Sequence, residues 1–345
     1  MSEKEVKIIE KKKLRPKISA TVLTYNQEQT IRQAIDSALM QKGDFDMEIV
    51  IAEDCSTDHT WDICKEYADK YPDLIRLLPN THNLGIFPNC IRMLRACTGD
   101  FISCVSGDDY WCDEYKLDKQ VKFLLAHPDY GVVSTEGYRY LVRRKKFVPG
   151  LGPAFEAKDG DIRKFYFSPS YSGGVYVMPV TQMLRRELVD VLDFDEIIKR
   201  KLPVDDYPMQ AIWSQHTKFG HLHDKTTVYR VYKESATFVY VDDPNYLEYH
   251  KGLMNIRRYL NELFPNYACF TEAQMQEYEF YKEFLLYLHK LDYKKAKQLI
   301  ANGSVTLPNS SKIQQAKRFT KTWLHFFAAH CIKELNYRRN IKQRT

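Results

Sequence analysis

The sequence lacks the patterns that define several large classes of protein. None of its eight cysteines forms a CxxC pair, so their spacing predicts neither a zinc knuckle nor a disulfide framework. No run of about 18 or more apolar residues occurs, so no membrane-spanning helix is expected. Residues 1–17 are charged, unlike a secretory signal. These absences predict a reducing, cytoplasmic location.

Glycine is also missing where a phosphate-binding loop would need it. No GxGxxG occurs in the chain, which argues against NAD-linked chemistry. The segment TYNQEQ, which follows the first predicted strand, contains no glycine. A sugar-nucleotide pyrophosphorylase would be expected to carry a glycine-rich loop there, so this class is disfavoured as well.

Positive charge is concentrated at the two ends of the chain. The net charge is +6, but residues 1–17 carry +4 and residues 311–345 carry +8. Such ends can bind nucleic acid, anionic lipid or a phosphorylated substrate, or can simply be solvated. Basic residues flank Trp323–Phe327 on a predicted helix, which suits an anionic membrane surface; packing against the catalytic domain is the alternative. We predict peripheral membrane attachment and no nucleic-acid partner.

Strand and helix patterns alternate in the first third of the chain. Short β-rich runs are separated by segments whose apolar residues recur with the spacing of amphipathic helices. The predicted strands are Ile18–Thr24, Glu48–Ala52, Ile75–Leu78 and Phe101–Val105. Four successive units predict an α/β fold with a mostly parallel sheet and flanking helices. Ligands bind such sheets beyond the carboxyl ends of the strands.

The pattern becomes less regular after about residue 130. Further strands are expected at Gly131–Val142, Gly174–Met178 and Thr226–Tyr232, helices near 180–192 and 206–219, and a loop over 143–160. From about residue 244 only helical patterns occur. The predicted parts are a basic segment 1–17, a catalytic domain 18–240 with halves 18–130 and 131–240, and a helical extension 245–345.

Polar residues cluster directly after the predicted strands. The clusters are Thr24–Gln27, Glu53–Asp58 and Ser106–Trp111. Each alone could be a helix cap or a turn, but their joint position along one sheet edge favours a ligand site. The base and ribose of a nucleotide carry amide and hydroxyl groups from which an aspartate can accept hydrogen bonds. Carboxylates also suit a hard divalent cation that neutralises a diphosphate.

These segments resemble the inverting family 2 glycosyltransferases of the bacterial surface-polysaccharide type, which have the Rossmann-like GT-A fold. The matching stretches are TYNQEQTIRQAIDSALMQ, EIVIAEDCSTDHTWDICKEYADKYP, NLG and GDFISCVSGDDYWCDEYKLDKQVKFLLAHPDY. The resemblance weakens after residue 130. It implies transfer of a sugar, with inversion, from a nucleotide-sugar donor, most commonly a UDP-sugar in this family. The implied acceptor is a glycan or lipid-linked oligosaccharide.

The resemblance also implies which residues bind the donor. They are Thr24, Tyr25, Asn26, Glu28, Asp54, Asn83, Gly85, Ser106, Gly107, Asp108 and Asp109. Among them, Asp54 would bind the base. Asp108 matches the last aspartate of the family's DxD motif and would be the ligand for Mg²⁺ or Mn²⁺. Ser106 replaces the first acid of that motif, which implies loose metal binding.

Catalytic and acceptor residues are implied in the same way. Asp206 in the segment LPVDDYP matches the general base, and Asp205 is the alternative. A carboxylate can take the proton of the acceptor hydroxyl, although either residue could instead cap a helix. Trp111, Gly173 and Gly174 are expected at the acceptor, where the glycines could equally form a turn. A non-catalytic glycan-binding or assembly subunit with a degraded donor site is the alternative function.

Overall fold

The computed structural model describes most of the chain outside its two ends. The described residues are 15–153, 157–167, 176–204, 206–232, 243–267, 270–290, 292, 294, 295, 298 and 299. Several predictions fall outside this set, namely residues 1–14 of the basic segment, Gly173, Gly174, Asp205 and the segment 311–345. The chain divides into two compact units, residues 1–270 and 271–345. The first unit therefore extends past residue 240, where the catalytic domain was predicted to end.

The first third of the chain forms the four predicted β–α units. The strands are β1 (Lys17–Thr24), β2 (Asp46–Glu53), β3 (Ile75–Leu78) and β4 (Phe101–Ser106). The helices are α1 (Ile31–Leu39), α2 (Thr60–Lys70), α3 (Ile86–Ala96) and α4 (Lys116–Ala126). Strand β1 pairs in parallel with β2 and β4, and β2 pairs in parallel with β3. Each prediction is confirmed to within a few residues, because strands covered on both faces are apolar throughout.

Five further strands extend the sheet. They are β5 (Tyr110–Trp111), β6 (Tyr130–Leu141), β7 (Lys146–Pro149), β8 (Met183–Arg185) and β9 (Lys218–Val231). The strand order is β3-β2-β1-β4-β8-β6-β9-β5, with β7 paired to β6. Strand β8 runs antiparallel to β4 and β6, whereas β9 runs parallel to β6. The sheet is therefore parallel on one side and mixed on the other.

The region between residues 142 and 192 differs from its prediction. The helix expected near 180–192 is wrong, since β8 lies there between the 3-10 turns Pro179–Thr181 and Arg186–Val189. The loop expected over 143–160 contains most of the 3-10 turn Val142–Arg144 and all of β7. Residues 176–178 are not a strand. In this region pairing with β4 and β6 decides the structure rather than local periodicity.

The remaining helices complete the described part of the chain. They are α5 (Arg163–Tyr166), α6 (Phe194–Lys199), α7 (Asp206–Trp213), α8 (Tyr246–Leu263) and α9 (Glu272–His289), with a 3-10 turn at Pro265–Tyr267. Helix α8 belongs to the first compact unit and α9 to the second. Within the described ranges, no helix combines the length and apolarity needed to cross a bilayer.

A lysine lies inside the apolar core between the sheet and α4. Lys116 is fully buried, and its Nζ donates to Oγ of Ser103 at 3.0 Å and to Oε1 of Gln120 at 2.6 Å. The same nitrogen lies 4.6 Å from the ring centre of Trp111. Burial lowers the pKa of Lys116 to about 7, because the interior disfavours an ammonium ion whose hydrogen-bond acceptors are neutral.

Candidate functional site

The loops after β1 and β2 are held together by reciprocal hydrogen bonds. Asn26 has a positive φ of 52°, and its backbone N–H donates to Oγ of Ser56 at 2.9 Å. In return, the backbone N–H of Thr57 donates to Oδ1 of Asn26 at 2.8 Å. Asparagine tolerates this left-handed conformation better than most residues. Asn26 therefore fixes the relative position of two predicted donor loops.

Glu28 strengthens the same junction at the N-terminus of α2. The backbone N–H of Glu28 donates to Oδ2 of Asp58 at 3.1 Å, and Oε2 of Glu28 accepts from the backbone N–H of His59 at 3.0 Å. Negative charge is favourable at a helix N-terminus. The ring of Tyr25 is 43% exposed beside this junction, so the loop presents an aromatic surface to solvent.

Asp54 joins the loop after β2 to the segment before α3. Its Oδ1 accepts from Nδ2 of Asn80 at 2.7 Å and from the backbone N–H of Leu84 at 2.9 Å, and its Oδ2 accepts from the backbone N–H of Gly85 at 2.9 Å. Asn83 also accepts from that N–H, at 3.0 Å. The structure thus brings three predicted donor residues into one network. A carboxylate has about four acceptor sites, so Asp54 retains capacity for a further donor.

Gly85 occupies a backbone conformation that favours glycine. Its φ is 86°, and it directly precedes α3. A side chain at this φ is strained, because Cβ meets the neighbouring backbone. The glycine therefore lets the chain turn from the Asp54 network into the helix.

Gly107 packs the end of β4 against the end of β1. A Cβ at this position would collide with Oε1 of Gln27 and would lie 2.5 Å from Oγ1 of Thr24. The Thr24 hydroxyl donates to that Gln27 oxygen at 2.8 Å, so neither side chain can move away without losing the bond. The backbone N–H of Gly107 also donates to Leu23 O at 2.9 Å.

We expect Gly107→Ala to lower the free energy of unfolding by about 1–3 kcal/mol, the usual cost of overpacking. Urea denaturation followed by circular dichroism measures this change. Gly152→Ala is the matched control, since a Cβ there meets its nearest atoms at 3.7 and 3.8 Å, an ordinary contact distance. Equal stability of the two variants would show that the β4 end is not tightly packed on β1.

Asp108 and Asp109 follow β4 and are both tied to Arg230 of β9. Oδ1 of the buried Asp109 accepts from the backbone N–H of Arg230 at 2.7 Å. The Arg230 guanidinium donates to the Asp108 carbonyl and to Oε1 of Gln33, and it lies 4.8 Å from the ring centre of Tyr110. The two predicted DxD-type residues are therefore positioned by a strand that is more than 100 residues away along the chain.

The surroundings of Asp108 and Asp109 disfavour the charged form of both carboxyl groups. Burial raises the pKa of Asp109 well above its usual range, and the neighbouring Asp108 raises it further. Burial also raises the pKa of Asp108, which Arg230 partly opposes. The pKa of Tyr232 is raised by burial, and the same two carboxylates contribute. Two adjacent, poorly solvated carboxylates are stabilised by an additional cation.

Asp108 fits a loosely held divalent cation. Only one group of three potential metal ligands occurs in the part of the chain that the structure describes, and Asp108 is not in it. Mg²⁺ is typically bound through one or two carboxylates together with substrate phosphates and water. Because Ser106 adds no charge beside Asp108, the residues present fit a cation that arrives with a diphosphate rather than one held by the protein alone.

Asp206 is the first residue of α7. The contacts described around it involve α7 and the segment before β8. Its half-buried carboxylate accepts from the backbone N–H of Tyr207 at 2.8 Å. One turn later, Nε2 of Gln210 donates to Val177 O at 2.8 Å and to Oε1 of Gln182 at 3.2 Å. Gln182 directly precedes β8, whose antiparallel pairing places Met183 opposite Ser103 of β4. These bonds anchor the start of α7 to the segment beside β4.

Trp111, for which an acceptor role was predicted, lies in the core. Its side chain is 1% exposed, and Nε1 donates to Val180 O at 3.1 Å. The ring also faces the Lys116 ammonium group. Its indole N–H and its ring are thus both used inside the core, and the acceptor role of Trp111 stays a prediction.

Two residues at this site had no donor role in the sequence analysis. Arg230 lies 121 residues after Asp109, and Gln33 lies on α1, 197 residues before Arg230. Contacts of this range leave no spacing pattern in one sequence. The sequence offered one signal for Arg230, namely that it is a basic residue near the end of the predicted strand Thr226–Tyr232.

The fold and the site together define a Rossmann-like α/β protein with acidic and amide side chains gathered at the carboxyl edge of its parallel strands. The chain belongs to glycosyl transferase family 2, since the model of that family matches residues 19–191. This confirms the resemblance and the GT-A fold expected from it.

Several known proteins are similar to parts of this chain. The protein Rv1520 of Mycobacterium tuberculosis is 43% identical over 112 residues, which are 32% of each chain. The putative glycosyltransferase EpsE of Bacillus subtilis is 38% identical over 120 residues, 35% of this chain and 42% of EpsE. The matched stretches thus span less than half of these relatives.

Solved structures with similar folds cover more of the chain. Residues 1–349 of TarS from S. aureus, in complex with UDP-GlcNAc, give a TM-score of 0.53 at 20% identity, covering 79% of this chain and 72% of that one. The mannosyltransferase PcManGT of Pyrobaculum calidifontis, in complex with GDP-Man and Mn²⁺, gives a TM-score of 0.51 at 18% identity. The match covers 90% of this chain and 81% of PcManGT. At these identities the likeness establishes the fold alone.

Proposed function

We propose that the protein is an inverting glycosyltransferase that moves a sugar from a UDP-sugar to an acceptor hydroxyl in polysaccharide or glycolipid assembly. The observation that supports this most strongly is the junction of the loops after β1, β2 and β4, with a half-buried Asp108 at its edge. TarS was solved with UDP-GlcNAc, and WfaP of Escherichia coli, 33% identical over 107 residues (31% of this chain and 41% of WfaP), is named as a UDP-Glc transferase. Of these two, WfaP is the sequence relative that favours UDP as the nucleotide.

The donor would lie across the joined loops. Asp54 has acceptor capacity left for an N–H of the base, and the exposed ring of Tyr25 offers an apolar surface beside it. Asn83 and Gly85 would lie near the base as well, because both are hydrogen-bonded within the Asp54 network. Asp108 would hold Mg²⁺ or Mn²⁺, which when bound neutralises charge on the leaving diphosphate.

The chemical step would be a single in-line displacement. The acceptor oxygen forms a bond to the anomeric carbon while the bond from that carbon to the diphosphate oxygen breaks, and the diphosphate leaves with the electron pair. Attack from the face opposite the leaving group inverts the configuration. Asp206 would take the acceptor proton, as a general base positioned by the anchored start of α7. Asp205 is the alternative base, and Gly173 and Gly174 remain proposed acceptor residues.

Isothermal titration of UDP, with GDP and dTDP for comparison, tests the proposal. We expect UDP to bind with Mn²⁺ at least about tenfold more tightly than without it, a difference of about 1.4 kcal/mol. The Mn²⁺ effect should disappear in Asp108→Asn, because the cation loses its one carboxylate, and should persist in Asp73→Asn, which changes an exposed aspartate.

The same titration separates the alternative function. If no nucleotide binds with or without Mn²⁺, the donor site is degraded and the protein is a glycan-binding or assembly subunit. If UDP binds but is never released from UDP-sugars in a hydrolysis assay, the site is intact and the catalytic role is wrong. Cytoplasmic location and membrane attachment through residues 311–345 remain predictions, tested by liposome binding of the full chain and a chain that ends at residue 310.

A further inference from the structure

Two histidines of β9 face a glutamate of β6. Nδ1 of His223 lies 3.3 Å from Oε1 of Glu136, and Nε2 of His221 lies 3.9 Å from the same oxygen. One potential ligand atom from each residue lies within 4.8 Å of the other two. Residues two apart on a strand point to the same face, so His221 and His223 share the face toward Glu136. The three side chains have the size and spacing of a metal-ligand set.

The pairing of the two strands is irregular at this point. Strands β6 and β9 run parallel, and the register shifts on both sides of Glu136. Bulges of this kind redirect side chains and often occur at functional sites. Here the register shifts occur at Glu136, one of the three potential ligands. The bulge therefore lies at the candidate metal site.

Ser134 contacts the ring of His221 in a way that suits metal binding through Nε2. Oγ of Ser134 lies 2.9 Å from Nδ1 of His221, and the Ser134 hydroxyl donates to Gly220 O at 3.3 Å. Because that hydrogen is used toward Gly220, Oγ can accept from an N–H at Nδ1. In that tautomer the lone pair of the ring lies on Nε2, which is the nitrogen that lies 3.9 Å from Oε1 of Glu136. A hydrogen bond of this type orients metal-bound histidines.

Glu136, His221 and His223 differ in their exposure to solvent, with the side chain of His221 the least exposed and that of His223 the most exposed. The side chain of His221 is 6% exposed, that of Glu136 is 30% exposed and that of His223 is 68% exposed. Gly152 lies above Nε2 of His221, where a Cβ would come within 3.8 Å of that nitrogen. A glycine at this position adds no side chain to the cover of that nitrogen, and solvent reaches the group through the exposed side chain of His223. An ion could enter from solvent and retain a water ligand.

We propose that Glu136, His221 and His223 form a Zn²⁺ site, separate from the donor cation at Asp108. Two imidazoles and one carboxylate are a donor set that Zn²⁺ accepts, whereas Mg²⁺ and Ca²⁺ prefer oxygen ligands. Three protein ligands leave the fourth tetrahedral position to water. The ion would link β6 to β9 across the bulge and stabilise the mixed half of the sheet. The site does not depend on the proposed transferase activity.

Titration of ZnCl₂ into tag-free, reduced, full-length protein that was first treated with EDTA tests this site. We expect binding of one Zn²⁺, weakened at least about tenfold, or about 1.4 kcal/mol, in both Glu136→Gln and His223→Ala. His216→Ala is the matched control, because it removes an exposed histidine outside the group, and it should bind as the unaltered protein does. Asp108→Asn should also bind normally, which separates this ion from the donor cation.

Two further measurements make the result decisive. Co²⁺ in the site should give the visible absorption of a four- or five-coordinate ion, absent in His223→Ala. Zn²⁺, but not Mg²⁺, should raise the Tm of the unaltered protein, because binding to the folded state alone stabilises it. The proposal is overturned if the protein binds no Zn²⁺, or if tight binding survives in both Glu136→Gln and His223→Ala; the three side chains would then be simple ion-pair partners.

Discussion

Asp206→Asn is expected to lower the rate of sugar transfer by about 10²–10⁴-fold, the usual contribution of a general base. Asparagine has nearly the same shape and its oxygen can still accept from the Tyr207 N–H, a bond of 2.8 Å in this structure. It cannot take a proton at neutral pH. The loss should therefore appear in kcat while UDP affinity stays within about twofold, because the nucleotide contacts are proposed for the loops after β1, β2 and β4 and not for Asp206.

The rate can be measured without knowing the acceptor. Water can replace the acceptor hydroxyl, so release of UDP from UDP-sugars reports the same proton transfer. Asp193→Asn is the matched control, since Asp193 also stands at a helix N-terminus and accepts from the backbone N–H of Glu196 at 2.9 Å. A full rate in Asp206→Asn together with a large loss in Asp205→Asn would transfer the role of base to Asp205.

Lys116→Met is expected to remove a strong pH dependence of stability. The pKa of Lys116 is about 7 in the folded protein, against 10.5 for an exposed lysine. Between these values the unfolded chain binds one more proton than the folded chain, so the free energy of unfolding rises with pH by about 1.4 kcal/mol per unit. Across about pH 7 to 9.5 this amounts to roughly 3 kcal/mol, which the methionine variant should lack.

The prediction for Lys116→Met concerns the slope of the free energy of unfolding against pH and not its value at one pH. The substitution leaves Oε1 of Gln120 without its 2.6 Å donor, which costs about 1–3 kcal/mol at every pH. Urea denaturation at several pH values separates this constant cost from the pH-dependent part. Lys122→Met is the control, because this lysine of the same helix has a side chain that is 70% exposed. Parallel stability curves for Lys116→Met and the unaltered protein would contradict the buried-lysine interpretation.

The first four β–α units could be predicted from sequence because their signals are local. The face of α1 that buries Ile31, Ala34, Ile35 and Ala38 is visible as helical spacing, and β2 is visible as a short apolar run. Polar residues after each strand located one sheet edge. The predicted helix near 180–192 failed because β8 is a three-residue strand, too short for any periodicity to define it.

The roles of individual side chains depended on contacts that the sequence does not record. Trp111 was expected at the acceptor, and its indole N–H donates to Val180 O in the core. Asn26, Glu28 and Asp54 were predicted to touch the donor, and each also holds neighbouring loops in place. Donor contact by these residues stays a prediction.

The α/β class, the family and the sheet edge where the polar residues gather could be predicted from the sequence, because periodicity and short motifs are properties of neighbouring residues. Three features became known from the folded chain: Arg230 lies against the Asp108–Asp109 pair, Lys116 is buried, and Glu136 meets His221 and His223. These contacts join residues far apart along the chain. Their positions are set by strand order and register, which hydrogen bonding and burial across the whole sheet determine together.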